Sequence, residues 1–198
     1  MKSYLGIKKN LLKETWSNLS LLLFNDIKKS IFERRHDMSK YYFRENKRTG
    51  RDNVVIEDAR LIWKNFSGEE SRFNRAGDRN FNVVIDDPDF ADEMHRMGWN
   101  VKEHPARDEG DDPYFTIACA VSYKIRPPKI CLYSGRSKTD LTEETVSALD
   151  FADIVTADLV LNGSQWEVNG NRGIKAYVDE LHVTIEQSAF GDKYDDYE

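Results

Sequence analysis

The sequence predicts a mainly β protein, a small closed or partly closed barrel with two short helices between its strands and flexible segments at both ends. Three observations predict it. Roughly six segments are rich in β-branched and aromatic residues, with apolar side chains recurring at strand spacing. Clusters of Gly, Pro and Asn separate them, the strongest being Asn169-Gly170-Asn171-Arg172-Gly173. Helix start signals stand out only at Asp87-Pro88 and Thr142.

Residues 1–37 are unlike the rest. Leu11, Leu12, Trp16, Leu19, Leu22, Leu23 and Ile27 follow helical spacing loosely, which fits an amphipathic surface helix or a disordered arm. Back-translation offers another reading. Glu33-Arg34-Arg35 can be encoded GAA-AGG-AGG, and His36-Asp37 then separates it from Met38 by six nucleotides. A bacterial ribosome-binding site ahead of a start codon looks like this when translated in frame. On that reading Met38 is the natural start and residues 1–37 are translated leader. Residues 38–50 are polar and end in Gly, so an N-terminal extension is expected over residues 1–52.

The folded domain is expected over residues 53–187. Residues 53–66 alternate as one long strand, and Ser67-Gly68 and Ala76-Gly77-Asp78 bracket a basic, aromatic loop before a strand at 80–85. Asp87 is a plausible N-cap, with Pro88 at the first helical position, Phe90, Met94 and Met97 on one face, and Gly98 as the stop. Residues 99–101 are short and extended, and 107–113 form a charged loop. Strands at 114–123 and 129–133 flank Pro127-Pro128, which cannot continue a sheet. Thr142 opens a second helix, with Thr145 in the capping-box position. A strand at 157–161 precedes a hairpin of 165–168 with 174–185. Residues 188–198 form an acidic-aromatic tail.

Composition narrows the function. Hydrophobic residues make up 39% and charged residues 32% of the 198, as in an ordinary soluble protein, and the apolar run Leu19 to Phe24 is too short to span a bilayer. No small-residue cleavage site follows that run, so a cytoplasmic protein without membrane association is expected. Cys119 and Cys131 lack CxxC or His spacing and read as reduced core residues. No motif for a nucleophile, phosphate loop, dinucleotide or metal is present, so no enzyme, cofactor or metal is expected. Asp86-Asp87-Pro88-Asp89 reads as a helix start complementing the helix dipole rather than a metal site. The net charge of −6 argues against indiscriminate coating of duplex DNA, yet residues 40–79 are locally basic.

That basic stretch carries the binding candidates. Arg60, Lys64, Arg72, Arg75 and Arg79 are interleaved with Trp63, Phe66, Phe73 and Phe81. Unpaired bases stack on aromatic faces while cations neutralise phosphates, so the pattern fits single-stranded nucleic acid. Trp63 and Phe66 have opposite parities and cannot both face one side of a regular strand. A second candidate surface is the late hairpin with Trp166, Arg172, Lys175 and Tyr177, extended by Arg136 and Lys138; the alternative there is a solvated hairpin with Trp166 packed on the barrel. In the tail, Phe190, Asp192, Tyr194, Asp195, Asp196, Tyr197 and Glu198 are suited to compete for a basic groove or to dock on partner proteins.

Several phrases carry a family resemblance: Ile62-Trp63-Lys64-Asn65-Phe66-Ser67-Gly68, Gly77-Asp78-Arg79-Asn80-Phe81, Gly98-Trp99-Asn100-Val101-Lys102, Trp166-Glu167-Val168-Asn169-Gly170 and Gly173-Ile174-Lys175-Ala176-Tyr177. In this order, from Val54 onward, the chain resembles bacteriophage single-stranded DNA-binding proteins of the OB-fold type. The resemblance implies a five-stranded OB-fold barrel in a bacterial host cell. It further implies protection of single strands in replication and recombination, and a tail that recruits phage or host replication proteins. The last residue, Glu198, departs from the aromatic ending of many such tails. A homo-oligomer is compatible with this reading. The alternative function is a phage structural or inhibitory protein that binds a protein partner through its acidic surface.

Overall fold

The computed structural model describes residues 40–47, 49–106 and 113–186. Residues 1–39 and 187–198, and with them the leader and Met38 start expected above and every tail residue named above, lie outside the described residues, as does most of the 107–113 loop.

The described residues open with a hairpin of β1 (Lys40–Asn46) and β2 (Arg51–Glu57), paired antiparallel from Lys40↔Glu57 to Asn46↔Arg51. Residues 40–46, expected within a polar arm, are therefore strand. Alternation explains it: Tyr41 and Phe43 turn inward, each with its ring about 5 Å from Phe90, at 5.2 and 5.1 Å.

The single long strand expected at 53–66 is two strands. Asp58, at φ 54°, turns the chain between β2 and β3 (Arg60–Asn65). Val54, Val55 and Ile56 of β2 pair with a later strand, whereas β3 pairs with β4 (Arg79–Ile85). Helix α1 (Pro88–Arg96) follows, with Asp87 Oδ1 accepting from the backbone N–H groups of Asp89 at 3.0 Å and Phe90 at 3.1 Å. Its end is a left-handed Gly98 stop, with Gly98 N–H on the His95 carbonyl and Trp99 N–H on the Met94 carbonyl. Phe90 and Met94 are buried as expected, but Met97, the C-cap, is exposed.

Next come β5 (Val101–His104), β6 (Tyr114–Val121), β7 (Lys129–Ser134) and β8 (Ser137–Leu141). The second predicted helix is instead one 3₁₀ helix, Val146–Asp150. Thr145 Oγ1 does accept from the Thr142 N–H at 2.9 Å, but Val146 and Leu149, three residues apart, are both buried, and three-residue spacing is the period of a 3₁₀ turn. The last hairpin is longer than predicted: β9 (Ile154–Val168) pairs with β10 (Asn171–Ile185) through the two-residue turn Asn169-Gly170, both at positive φ, with register shifts at Val178/Glu180 and Thr184/Ile185.

The strands form one sheet in the order β1-β2-β9-β10-β6-β4-β3, with β5 also on β6, β7 on β10 and β8 on β7. The order has two ends: of the closed or partly closed barrel that the sequence predicts, closure is corrected to an open, branched sheet. The reason lies at Asp58: beyond one backbone bond from Ala59 to the Ala157 carbonyl, 2.7 Å long, β3 pairs with β4 and not β9. Past its end the N–H groups of Phe66 and Ser67 are taken by the Asp150 carboxylate rather than by a strand. The core lies on the inward faces, with Ile56, Phe66, Phe81, Met94, Ile117, Leu159 and Leu181 fully or almost fully buried. Cys119 and Cys131 are buried and free; burial pushes both thiols above their ordinary pKa. Among the described residues no helix is long and apolar enough to cross a membrane.

Candidate nucleic-acid interface

Strand alternation sorts the sheet into two faces. Phe81, Val83 and Ile85 of β4 and Ile117, Cys119 and Val121 of β6 point into the core. Their alternates, Asn80, Asn82, Ala118 and Ala120, therefore form the floor of the outer face, with Asn82 opposite Ala118 and Asn80 opposite Ala120. The floor continues through Ala120↔Tyr177 onto β10 and through Tyr177↔Asn162, Lys175↔Ser164 and Gly173↔Trp166 onto β9. Lys175 Nζ sits 5.2 Å from the centre of the Tyr177 ring. Small residues in the middle and large ones beside them leave a broad floor with an aromatic border.

A second aromatic cluster crosses the Tyr114 end of this face, with Trp63 coming from β3 and His104 from β5, which takes the edge of β6 that β10 takes farther along. Register places His104 against Tyr114, and their rings stack at 4.8 Å. Trp63 meets His104 edge-on at 5.4 Å, while His104 Nε2 lies 2.8 Å from the buried Thr116 hydroxyl. Trp63 reaches this face because of a bulge. Ile62 pairs with Asn82 and Asn65 with Asn80, so three steps on β3 match two on β4. The extra residue reverses what regular alternation would produce: Trp63 is half exposed, at 51%, and Phe66 is fully buried.

Phe66 is accordingly corrected from a DNA-contacting candidate to a core residue, stacked on Phe81 at 5.1 Å. The loop after it remains a candidate surface. Phe73 is 88% exposed, with the Arg72 guanidinium 5.7 Å from its ring centre, and Arg75 is exposed. Ser71 Oγ accepts from the N–H groups of Phe73 and Asn74, and Asn80 donates to Asn74 at 2.8 Å, which ties the loop to the outer face.

Other candidates turn away from this face or already have partners. Arg79 has inward parity and pairs with Glu143 at 2.9 Å, with its guanidinium over the Tyr123 ring at 5.8 Å; it is a structural cation. Burial raises the Tyr123 phenol pKa, against the opposing effect of that cation. Lys64 donates to the Ala152 carbonyl at 3.0 Å, and Arg60, on the outer face beside Val84, lies 3.8 Å from Asp86. Arg172 opposes Glu167 on the face away from Trp166, Lys175 and Tyr177, so the hairpin cluster divides in two. Arg136 is exposed at the β7–β8 turn, and Lys138 lies 3.8 Å from Asp140.

The sequence reading missed Asn80, Asn82, Lys102, His104, Tyr114, Ala118 and Ala120. A signal existed: Asn80 and Asn82 alternate with Phe81 and Val83, and Ala118 and Ala120 with Cys119 and Val121. Two neighbouring stretches that present only small or amide side chains on one side mark a part of the face kept clear. Among the described residues no group of three or more His, Cys, Asp or Glu is placed to hold a metal ion.

The family model described as "Putative phage ssDNA-binding domain" matches residues 44–198. Three solved structures of the single-stranded DNA-binding protein from bacteriophage Enc34 are similar. Its C-terminal truncation shares 9% identity at a TM-score of 0.46, covering 69% of this chain and 87% of that one. Its complex with ssDNA shares 8% at 0.47, covering 70% and 89%. A third structure of it shares 9% at 0.45, covering 80% and 99%. No curated protein matches the chain. With its family model spanning the chain from within β1 to the final residue, the chain belongs to the phage single-stranded DNA-binding domain family.

Proposed function

We propose that the chain holds single-stranded DNA across the outer face of β3, β4, β6, β10 and β9, without sequence preference, and protects it during phage replication and recombination. The observation that carries this reading is the arrangement of that face: a floor of Asn80, Asn82, Ala118 and Ala120 with Trp63, His104 and Tyr114 clustered at one end and Tyr177, Lys175 and Trp166 along its β10–β9 side. Aromatic borders offer π-faces for unpaired bases, each worth roughly 1–3 kcal/mol, and every base has a π-face, so stacking reads no sequence. Lys102, Lys175, Arg72 and Arg75, all exposed, supply cations for the backbone. A duplex hides its base faces and loses the stacking part of this energy.

The acidic tail, Phe190 to Glu198, is read as an internal competitor for the basic residues or a dock for replication proteins. The test is a titration of the full chain with oligo(dT) and with duplex across a salt series. The expected result is preference for oligo(dT) and a log–log salt slope of roughly −0.7 per phosphate contact. Equal affinity for both, or no salt dependence, overturns the reading. Removing residues 190–198 is expected to tighten binding.

A further inference from the structure

Trp63 occupies a backbone conformation that its own side chain opposes. Its φ is 50°, in the left-handed region where bulky residues are outliers and where a bulge of this type ordinarily carries Gly. Such a conformation persists only when the surroundings over-determine it. Beside the Asn65↔Asn80 pairing on β4, the restraint comes from one short segment. Asp150 accepts the Phe66 N–H at 2.6 Å and the Ser67 N–H at 2.8 Å through its two carboxylate oxygens, and the Ala152 carbonyl accepts Lys64 Nζ at 3.0 Å. These anchors grip the residues that directly follow Trp63. Asp150 itself is held by its 3₁₀ helix, whose Val146 and Leu149 are buried in the core.

We propose that Asp150 is a positioning residue for single-strand binding: its two hydrogen bonds to the Phe66 and Ser67 backbone lock the β3 bulge that turns Trp63 onto the outer face. The inference rests on the reading of that face as the DNA site. With Ile62 outward, an unbulged strand would point Trp63 into the core and Phe66 outward. The carboxylate holds the register in which the two are exchanged. Electrostatics alone predicts the opposite effect of removing Asp150, because deleting a negative charge favours a polyanion.

The test compares wild type, D150N, W63A and the double variant of the full chain, using oligo(dT) anisotropy well below each melting temperature. D150N is expected to weaken binding about tenfold, the loss of roughly one stacked base. In the W63A background D150N is expected to change affinity little, because the residue through which it acts is gone. Equal or tighter binding by D150N, or a full additional loss on top of W63A, overturns the proposal. A melting comparison keeps it testable if D150N fails to fold. W63G is expected to melt above W63A, the reverse of the usual order in a strand, because Gly accepts φ 50° without strain. W63G melting below W63A overturns the strain on which the lock depends. Failure of wild type to bind oligo(dT) removes the DNA reading itself, whereas binding by wild type with no loss in D150N removes only the role of Asp150.

Discussion

Gly173 and Trp166 face each other across the β9–β10 ladder, and a Cβ on Gly173 would lie 3.1 Å from the indole Nε1 and Cζ2. The bare backbone lets the indole lie across the partner strand, the arrangement by which an aromatic shields a strand glycine. Because Trp166 is 37% exposed, the indole has room to move aside. G173A is therefore expected to leave stability within about 0.5 kcal/mol, to red-shift Trp166 emission and to weaken oligo(dT) binding a few-fold. Unchanged emission and affinity would show that Gly173 does not set the indole.

Tryptophan fluorescence separates border from core. Trp63 and Trp166 lie on the outer face, whereas Trp99 is 3% exposed. Oligo(dT) is expected to quench wild-type emission, with W63F and W166F each removing part of the quenching and W99F removing none. Quenching that survives W63F and W166F together would place the DNA elsewhere.

The arginines divide by what already holds them. Loop residues Arg72 and Arg75 are exposed, and replacing both with Ala is expected to flatten the salt slope by about 1.4, two contacts' worth. R79A is expected to leave the slope unchanged and to lower stability by about 1 kcal/mol, since it removes the ion pair with Glu143 and the cation over Tyr123. A slope change in R79A would mean that Arg79 meets phosphate.

Tyr123 predicts an alkaline effect. Burial raises its phenol pKa above the ordinary 10.0, so the folded state holds the proton more tightly than the unfolded chain. That stability is present below pH 10 and is lost as pH rises through the folded value. Its hydroxyl is buried without a hydrogen-bond partner among the described residues. Y123F should therefore be neutral or stabilising by up to about 1 kcal/mol at pH 7, and its melting temperature should fall less than that of wild type above pH 10. Parallel decline of both would assign the alkaline loss to other groups.

The sequence by itself determined the local elements whose signals are local. Asp87-Pro88 and Gly98 mark both ends of α1 because a cap and a stop act within a few residues. Asn169-Gly170 marks the last hairpin because both residues tolerate positive φ. Mainly β character follows from composition and alternation alone. Only the tertiary structure decided which side of a strand meets the core and whether the sheet closes. Both depend on partners far along the chain: Ala59 meets Ala157, and Phe66 and Ser67 meet Asp150. A single extra residue at Trp63 reverses every later parity on β3, so alternation read from sequence cannot say that Phe66 goes in and Trp63 goes out. The floor of Asn80, Asn82, Ala118 and Ala120 was written in two separate strands, and it became one face only when β4 paired with β6.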